Sequence, residues 1–238
     1  MPVTVEIVDR SATLADVDSV FAYFDSVDNR FSTYKADSEI SAINRGALAL
    51  RDASDDMRLV FALAEQTRLE TNGYFDISHN GGYDPSGIVK GWAIYNAARM
   101  LRDRGFSNYQ VEAGGDLQAS GMSERGQAWL VGIRNPFNPR EIVKVLRADD
   151  CGIATSGTYV RGQHVYNPKV DSGPIKEVVS LTVVGPNIYE ADRFATAAFA
   201  MGRDGIRFID QAEGLEGYMI DDRGRATMTR GLTRYVDQ

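Results

Sequence analysis

Within Glu190-Ala-Asp-Arg-Phe-Ala-Thr196 an aspartate and a threonine, Asp192 and Thr196, stand four residues apart in a stretch of helical pattern. Side chains at i and i+4 share one helix face. A carboxylate and a hydroxyl, both hard oxygen ligands, therefore converge there. Mg2+ takes such oxygens, asks for one or two carboxylates from a protein, and completes its octahedron with waters and substrate phosphates. Taken alone, the pair also reads as a solvated or capping pair.

Three further segments could serve phosphate or proton chemistry. In Asp84-Pro-Ser-Gly-Ile-Val-Lys-Gly91, turn residues lead into a helix whose free N–H groups suit a phosphate, with the charge of Lys90 beside them. The plainer reading is an ordinary helix start with Asp84 near the cap. In Glu112-Ala-Gly-Gly-Asp-Leu117, two glycines after a strand either let the backbone approach a ligand or simply turn a hairpin. Their spacing is not G-x-G-x-x-G and no long helix pattern follows, which disfavours a Rossmann-type dinucleotide fold. The last region joins Gly152-Ile-Ala-Thr-Ser-Gly-Thr-Tyr159 to Gly162-Gln-His-Val-Tyr-Asn-Pro168. His164 there could act as acid or base near neutral pH, or be held by a local hydrogen bond. The chain has two histidines, His79 and His164, and one cysteine, Cys151, so a His-rich zinc site is not available to it.

The elements that must position these groups are legible in outline. Helical spacing of apolar residues runs over Leu14 to Phe31, Arg58 to Asn72 and Ile88 to Arg104, the last ending at Gly105, and Ile206 to Gln211 reads as part of another helix. The N-terminus alternates like a strand. Strands are expected over Tyr109 to Ala113, Ala128 to Arg134, Ile142 to Leu146, Gly152 to Thr155 and Val178 to Val184. Helices precede and follow a strand-rich central block, so the expected class is α+β. A chain of 238 residues fits one domain over 1–238, either a single unit or two interlocked lobes sharing a core.

Composition narrows the partners. Lys and Arg total 26 against 33 Asp and Glu, a net charge of −7, which argues against a nucleic-acid binder. No apolar run approaches the ~20 residues that span a bilayer, and the N-terminus has neither a basic nor an apolar leader region. The expectation is a cytoplasmic protein without a membrane span.

Taken in order, several segments resemble the FAD:protein FMN transferase (ApbE) family. They are Phe31-Ser-Thr-Tyr-Lys-Ala-Asp-Ser-Glu-Ile-Ser-Ala-Ile-Asn44, Asn72-Gly-Tyr-Phe-Asp76, Asp84 to Gly91, Ala113-Gly-Gly-Asp-Leu117, Thr155-Ser-Gly157, His164, and Asp192 to Thr196. Together they cover most of the chain. The resemblance implies an ApbE-like fold and a Mg2+-dependent enzyme that cleaves FAD, attaches FMN through a phosphoester bond to a Thr or Ser of a target flavoprotein, and releases AMP. The alternatives are a FAD pyrophosphatase giving FMN and AMP, and a FAD-binding protein without turnover.

By the same resemblance, Tyr34 stacks on adenine, while Tyr74, Phe75, Asp76, Asp84, Lys90, Asp116 and Thr155 contact the flavin nucleotide. The Gly87 carbonyl, Asp192 and Thr196 form the magnesium shell. His164 and Val165 lie beside the flavin, with His164 as a base for the incoming hydroxyl. Phosphoryl transfer needs charge neutralisation and an oriented nucleophile more than covalent help. Magnesium and Lys90 supply the first; Asp76, Asp116 or His164 assists the second. The chain departs from the family pattern in beginning Met-Pro-Val-Thr rather than with Met-Gly-Thr, and in a shorter stretch between Asp76 and Asp84. It also reads Ser-Gly-Ile-Val-Lys-Gly for Gly-Gly-Ile-Ala-Lys-Gly, which keeps the carbonyl and the lysine.

Overall fold

The computed structural model describes residues 1–79, 81–158, 165–170 and 175–237. The first part of the chain is β1 (Val3–Ile7), α1 (Leu14–Phe31), α2 (Glu39–Asn44), α3 (Asp55–Glu70), a small hairpin of β2 (Ser78–His79) and β3 (Gly82–Tyr83), and α4 (Ser86–Asp103). The strand-rich block follows: β4 (Tyr109–Ala113), β5 (Asp116–Ser120), β6 (Trp129–Asn135), β7 (Asn138–Ala148), β8 (Gly152–Gly157) and β9 (Val178–Gly185). After it come α5 (Ile188–Ala200), α6 (Gly205–Gln211), β10 (Glu216–Asp221) and β11 (Ala226–Met228).

Local chemistry sets most of these boundaries. Ahead of α1, the Thr13 backbone N–H and hydroxyl both donate to Asp16, at 2.9 and 2.6 Å. Ser54 accepts from the Met57 N–H at 3.3 Å to start α3, and Asn187 accepts from the Glu190 N–H at 3.0 Å to start α5. Each satisfies a donor the helix itself leaves open. Gly105 at φ +91° lies just beyond α4, a left-handed position that suits glycine. Gly114 and Gly115, at φ +61° and +96°, form the two-residue loop joining β4 to β5, with Ala113 opposite Asp116. The hairpin reading of that glycine pair is the one the structure adopts.

Among the described residues seven strands make one antiparallel sheet in the order β1-β4-β5-β8-β9-β10-β11. Alternation along β9 divides its two faces. Leu181 and Val183 join the cluster formed with α4, α5 and α6, whereas Val184 joins Trp129, Ile133 and Leu146 of the separate β6–β7 ribbon. The sheet is thus buried on both sides, by helices on one and by the ribbon on the other. This is the α+β arrangement expected from the sequence.

A second apolar cluster is mainly helical. Val27, Phe31, Ile40, Met57, Val60, Phe75 and Trp92 meet there, with Phe31 and Trp92 edge to face at 5.6 Å between ring centres. α4 serves both clusters: Ile88, Val89, Trp92 and Ala93 belong to the helical one, Ile94, Ala97, Ala98 and Leu101 to the one against the sheet. Buried Arg193 ties α5 to α3, pairing with Glu70 and Glu190 and lying 4.0 Å over the Phe194 ring. Among the described residues no helix is long and apolar enough to cross a membrane.

Candidate functional site

The site begins where α4 and α5 touch. Gly91 brings them together, because a Cβ there would stand 2.6 Å from Asp192 Cβ and 2.8 Å from the Ile188 carbonyl oxygen. At that close approach the Gly91 N–H donates to Asp192 Oδ2 at 2.7 Å. One turn away on each helix, the Thr196 hydroxyl donates to the Gly87 carbonyl oxygen at 3.4 Å.

Lys90 lies between two carboxylates. Its ammonium is 3.3 Å from Asp192 Oδ1 and ion-paired with Asp116 Oδ2. Asp116 is delivered by the glycine hairpin, and its other oxygen accepts the Thr155 N–H at 2.9 Å. The Thr155 hydroxyl in turn meets that of Thr182 at 2.9 Å. Both aspartates are almost wholly buried, with side chains 1% and 3% exposed, while Lys90 keeps 16%. Burial lifts the Asp192 carboxyl above its ordinary range; Lys90 pulls it back down and Asp116 pushes it further up. One lysine thus faces two buried acids, a grouping in which burial disfavours charge that is not paired.

Above this group opens a cleft whose non-atom space, open solvent at its mouth included, is about 670 Å3. Tyr74, Phe75 and Asp76 form one wall, Asp84, Ser86 and Gly87 the head of α4, and Thr155, Ser156, Val165, Tyr166 and Pro168 the opposite side. The walls are tied together. The Tyr166 hydroxyl donates to the Asp76 carbonyl at 2.7 Å, its ring stacks on His79 at 3.9 Å, and Lys169 sits 4.6 Å over the Tyr74 ring. Burial, with the nearby charges of Asp76 and Asp84, pushes the Tyr166 phenol up to about 12, so it stays a donor. Asp76 and Asp84 each accept a nearby backbone N–H, from Ser78 at 2.8 Å and Ser86 at 3.0 Å. The β2–β3 hairpin beside them is pinned by Asn44, whose side chain bonds the Tyr83 N–H and carbonyl at 2.8 and 2.9 Å.

Flavin transferase ApbE of Vibrio cholerae has the same fold, with a TM-score of 0.84 at 22% identity over 98% of this chain and 95% of that one. Pseudomonas stutzeri flavinyl transferase ApbE superposes with a TM-score of 0.85 at 21% identity, covering 98% and 92%. The model of the ApbE family matches residues 1–81 and 78–219. The chain belongs to the ApbE family. An Escherichia coli K12 relative named FAD:protein FMN transferase is 32% identical over 155 residues, 61% of this chain. That match spans 44% of the relative's own length.

In this ApbE chain the cleft is lined by Tyr74, Phe75, Asp76, Asp84, Gly87, Lys90, Thr155, Val165, Asp192 and Thr196, ten of the positions singled out in the sequence. Asp116 stands beneath them, against Lys90. Tyr34 is apart from them: it is 98% exposed between α1 and α2 and does not line the cleft. His164 lies outside the described residues. Ser86, Ser156, Tyr166 and Pro168 line the cleft without having been singled out. All four fall inside the quoted motif segments, and Tyr166, an aromatic between His164 and a proline, carried the most readable signal. Among the described residues no three His, Cys, Asp or Glu side chains gather as a metal cluster, so any cation here would draw on mixed oxygen donors.

Proposed function

We propose that the chain is a magnesium-dependent flavin transferase. It cleaves FAD at the pyrophosphate and joins FMN through a phosphoester bond to a Thr or Ser of a target flavoprotein, with AMP leaving. The observation that carries this reading is the buried Asp116–Lys90–Asp192 group at the floor of the cleft, beside the Thr196 hydroxyl and the Gly87 carbonyl. The names of the relatives, FAD:protein FMN transferase, supply the substrate class. The chain is read as one catalytic domain whose two apolar clusters share α4.

A divalent cation fits these residues. The Thr196 and Gly87 oxygens are 3.4 Å apart, close to the ~3 Å between adjacent ligands of an octahedron with ~2.1 Å bonds. Asp192 would supply the carboxylate, and the second positive charge balances what Lys90 leaves. Bound there, magnesium would neutralise pyrophosphate charge. Lys90 adds its own positive charge toward the phosphate oxygens, and the Gly91 N–H and Asp116 keep Asp192 and Lys90 in place. Asp76 lines the cleft with no ion pair among the described residues. It or His164 takes the proton from the incoming hydroxyl, and Tyr74, Phe75 and Val165 give the flavin nucleotide an apolar surface.

The test is incubation with FAD, Mg2+ and a flavoprotein domain bearing an acceptor Thr, read by mass spectrometry of that domain. An FMN adduct that disappears with EDTA is expected. Free FMN and AMP without an adduct would replace the transferase by a pyrophosphatase, and intact bound FAD would replace it by a binding protein.

A further inference from the structure

The β6–β7 ribbon has two faces of different character. Its inner face gives Trp129, Ile133 and Leu146 to the core. Register sets Leu130 opposite Arg147, Gly132 opposite Val145 and Arg134 opposite Ile142 on the outer face. Leu130 and Ile142 are 57% and 48% exposed there, and Arg140 follows, exposed, toward the tip. Among the described residues Arg134, Arg140 and Arg147 have no side-chain partner. Arg193, Arg225 and Arg230, by contrast, each sit on a carboxylate. Three unpaired arginines on one surface of a chain of net charge −7 make a positive patch whose complement must come from outside.

Two further observations say what that complement is. Among the described residues β6 pairs with β7 alone, so its other edge keeps backbone donors and acceptors open to an added strand. An extended polypeptide can use that edge. A lipid surface or a nucleic acid cannot. The ribbon's tip also lies at the cleft's end of the sheet. Phe137 stands within 3.7 Å of where a Cβ on Gly224 would be, in the turn after Ile220. Ile220 pairs with Ser180, and Ser180 with Gly157, two residues beyond Thr155 of the cleft.

We propose that the outer face of the ribbon docks an extended acidic segment of the flavin acceptor protein. That segment lies along the open edge of β6, with its carboxylates on Arg134, Arg140 and Arg147 and its apolar side chains on Leu130 and Ile142. This rests on the transferase reading above. The partner's acceptor hydroxyl is thereby held at the end of the sheet where the cleft opens.

Two peptides test it, each with one acceptor Thr, preceded in one by a run of Asp and in the other by the same run of Lys. FMN transfer is measured for the wild-type chain and for the triple variant Arg134→Glu, Arg140→Glu, Arg147→Glu. The wild type should show a KM for the Asp peptide roughly 10-fold below that for the Lys peptide, an order set by a few exposed ion pairs. The triple variant should reverse that preference with FAD affinity and kcat unchanged, and salt near about 0.5 M should erase it. An unchanged KM for the Asp peptide in the triple variant overturns the proposal. So does a loss of phosphatidylserine-vesicle binding in that variant with peptide KM unaltered, which would make the patch a membrane surface. If the wild type binds FAD but modifies neither peptide nor a whole acceptor domain, the transferase reading fails and this proposal with it. Transfer to the domain alone, with neither peptide modified, is resolved by the domain's KM, which must rise in the triple variant.

Discussion

Gly91→Ala measures how tightly the site depends on the contact between α4 and α5. In an exposed helix interior, alanine gains about 1 kcal/mol over glycine. Here the added methyl would sit 2.6 Å from Asp192 Cβ and 2.8 Å from the Ile188 oxygen, where carbon contacts settle near ~3.5–4.0 Å. Both neighbours belong to α5 rather than to a flexible side-chain end, so the helices must part by roughly 1 Å. Overpacking of that kind costs about 1–3 kcal/mol. Parting the helices also lengthens the 2.7 Å bond from the Gly91 N–H to a buried carboxylate, which adds about 1–3 kcal/mol. Set against the propensity gain, the net loss is about 1–5 kcal/mol, or a fall in Tm of roughly 2–20 °C for a chain of this size. Thermal melts followed by circular dichroism read it directly, and FAD titration in Mg2+ should show weaker binding in the same variant. A Gly91→Ala protein with an equal or higher Tm would refute the close-contact reasoning, since propensity would then have won.

Asp192→Asn keeps an oxygen for the Gly91 N–H while removing a charge from the floor of the cleft. FMN transfer should fall at least about 100-fold with the circular dichroism spectrum unchanged, the size of loss expected when an electrostatic contact to the transition state goes; activity within a few fold of wild type would count against the site. Asp221, whose carboxyl the Arg225 N–H and neighbouring donors hold down to about 2, stabilises the β10–β11 turn. Its folded pKa lies below the unfolded one, so that stabilisation is present above about pH 4 and lost as pH falls toward 2. Asp221→Ala should flatten the acid limb of a stability-versus-pH curve, and a limb of unchanged shape would refute this. Cys151 is buried, and that burial pushes its thiol up to about 11. At pH 8 the thiolate fraction is then roughly 200-fold below that of a free cysteine. A disulfide reagent should label it slowly in the native chain and rapidly in denaturant, and equal rates would show the strand end around it to be open.

The site's parts were legible in the sequence, but not their assembly. Asp192 and Thr196 could be placed on one face because helix periodicity fixes that relation within a single element. That Lys90 reaches Asp116 depends on how the β4–β5 hairpin, itself legible as a turn at Gly114 and Gly115, lies against α4, which no local pattern encodes. Gly91 closed the quoted Asp84–Gly91 segment, inside the expected Ile88–Arg104 helix; its role in helix contact shows only when α5 is laid against α4, although an isolated glycine inside a helical run is itself a hint of close approach. The strand β10 escaped notice for a related reason. Five of its six residues, from Gly217 to Asp221, are buried, so no alternation of apolar and polar side chains marks it. α2 is six residues long, too short for helical periodicity to register. α3 and α4 begin ahead of their apolar patterns because the cap and first-turn residues Ser54, Asp55 and Ser86 are polar.

The two hydrogen bonds that join α4 to α5 link residues 101 and 109 positions apart. A ribosome finishing this chain therefore exposes Lys90 and Asp116 well before Asp192 and Thr196 exist to complete the floor of the cleft. Until α5 docks, the floor of the cleft holds Lys90 and Asp116 without the Asp192 carboxylate and the Thr196 hydroxyl. On the function proposed above, a chain that has lost its last fifty residues keeps the cleft's first wall but lacks the Asp192 and Thr196 oxygens that would load a cation there.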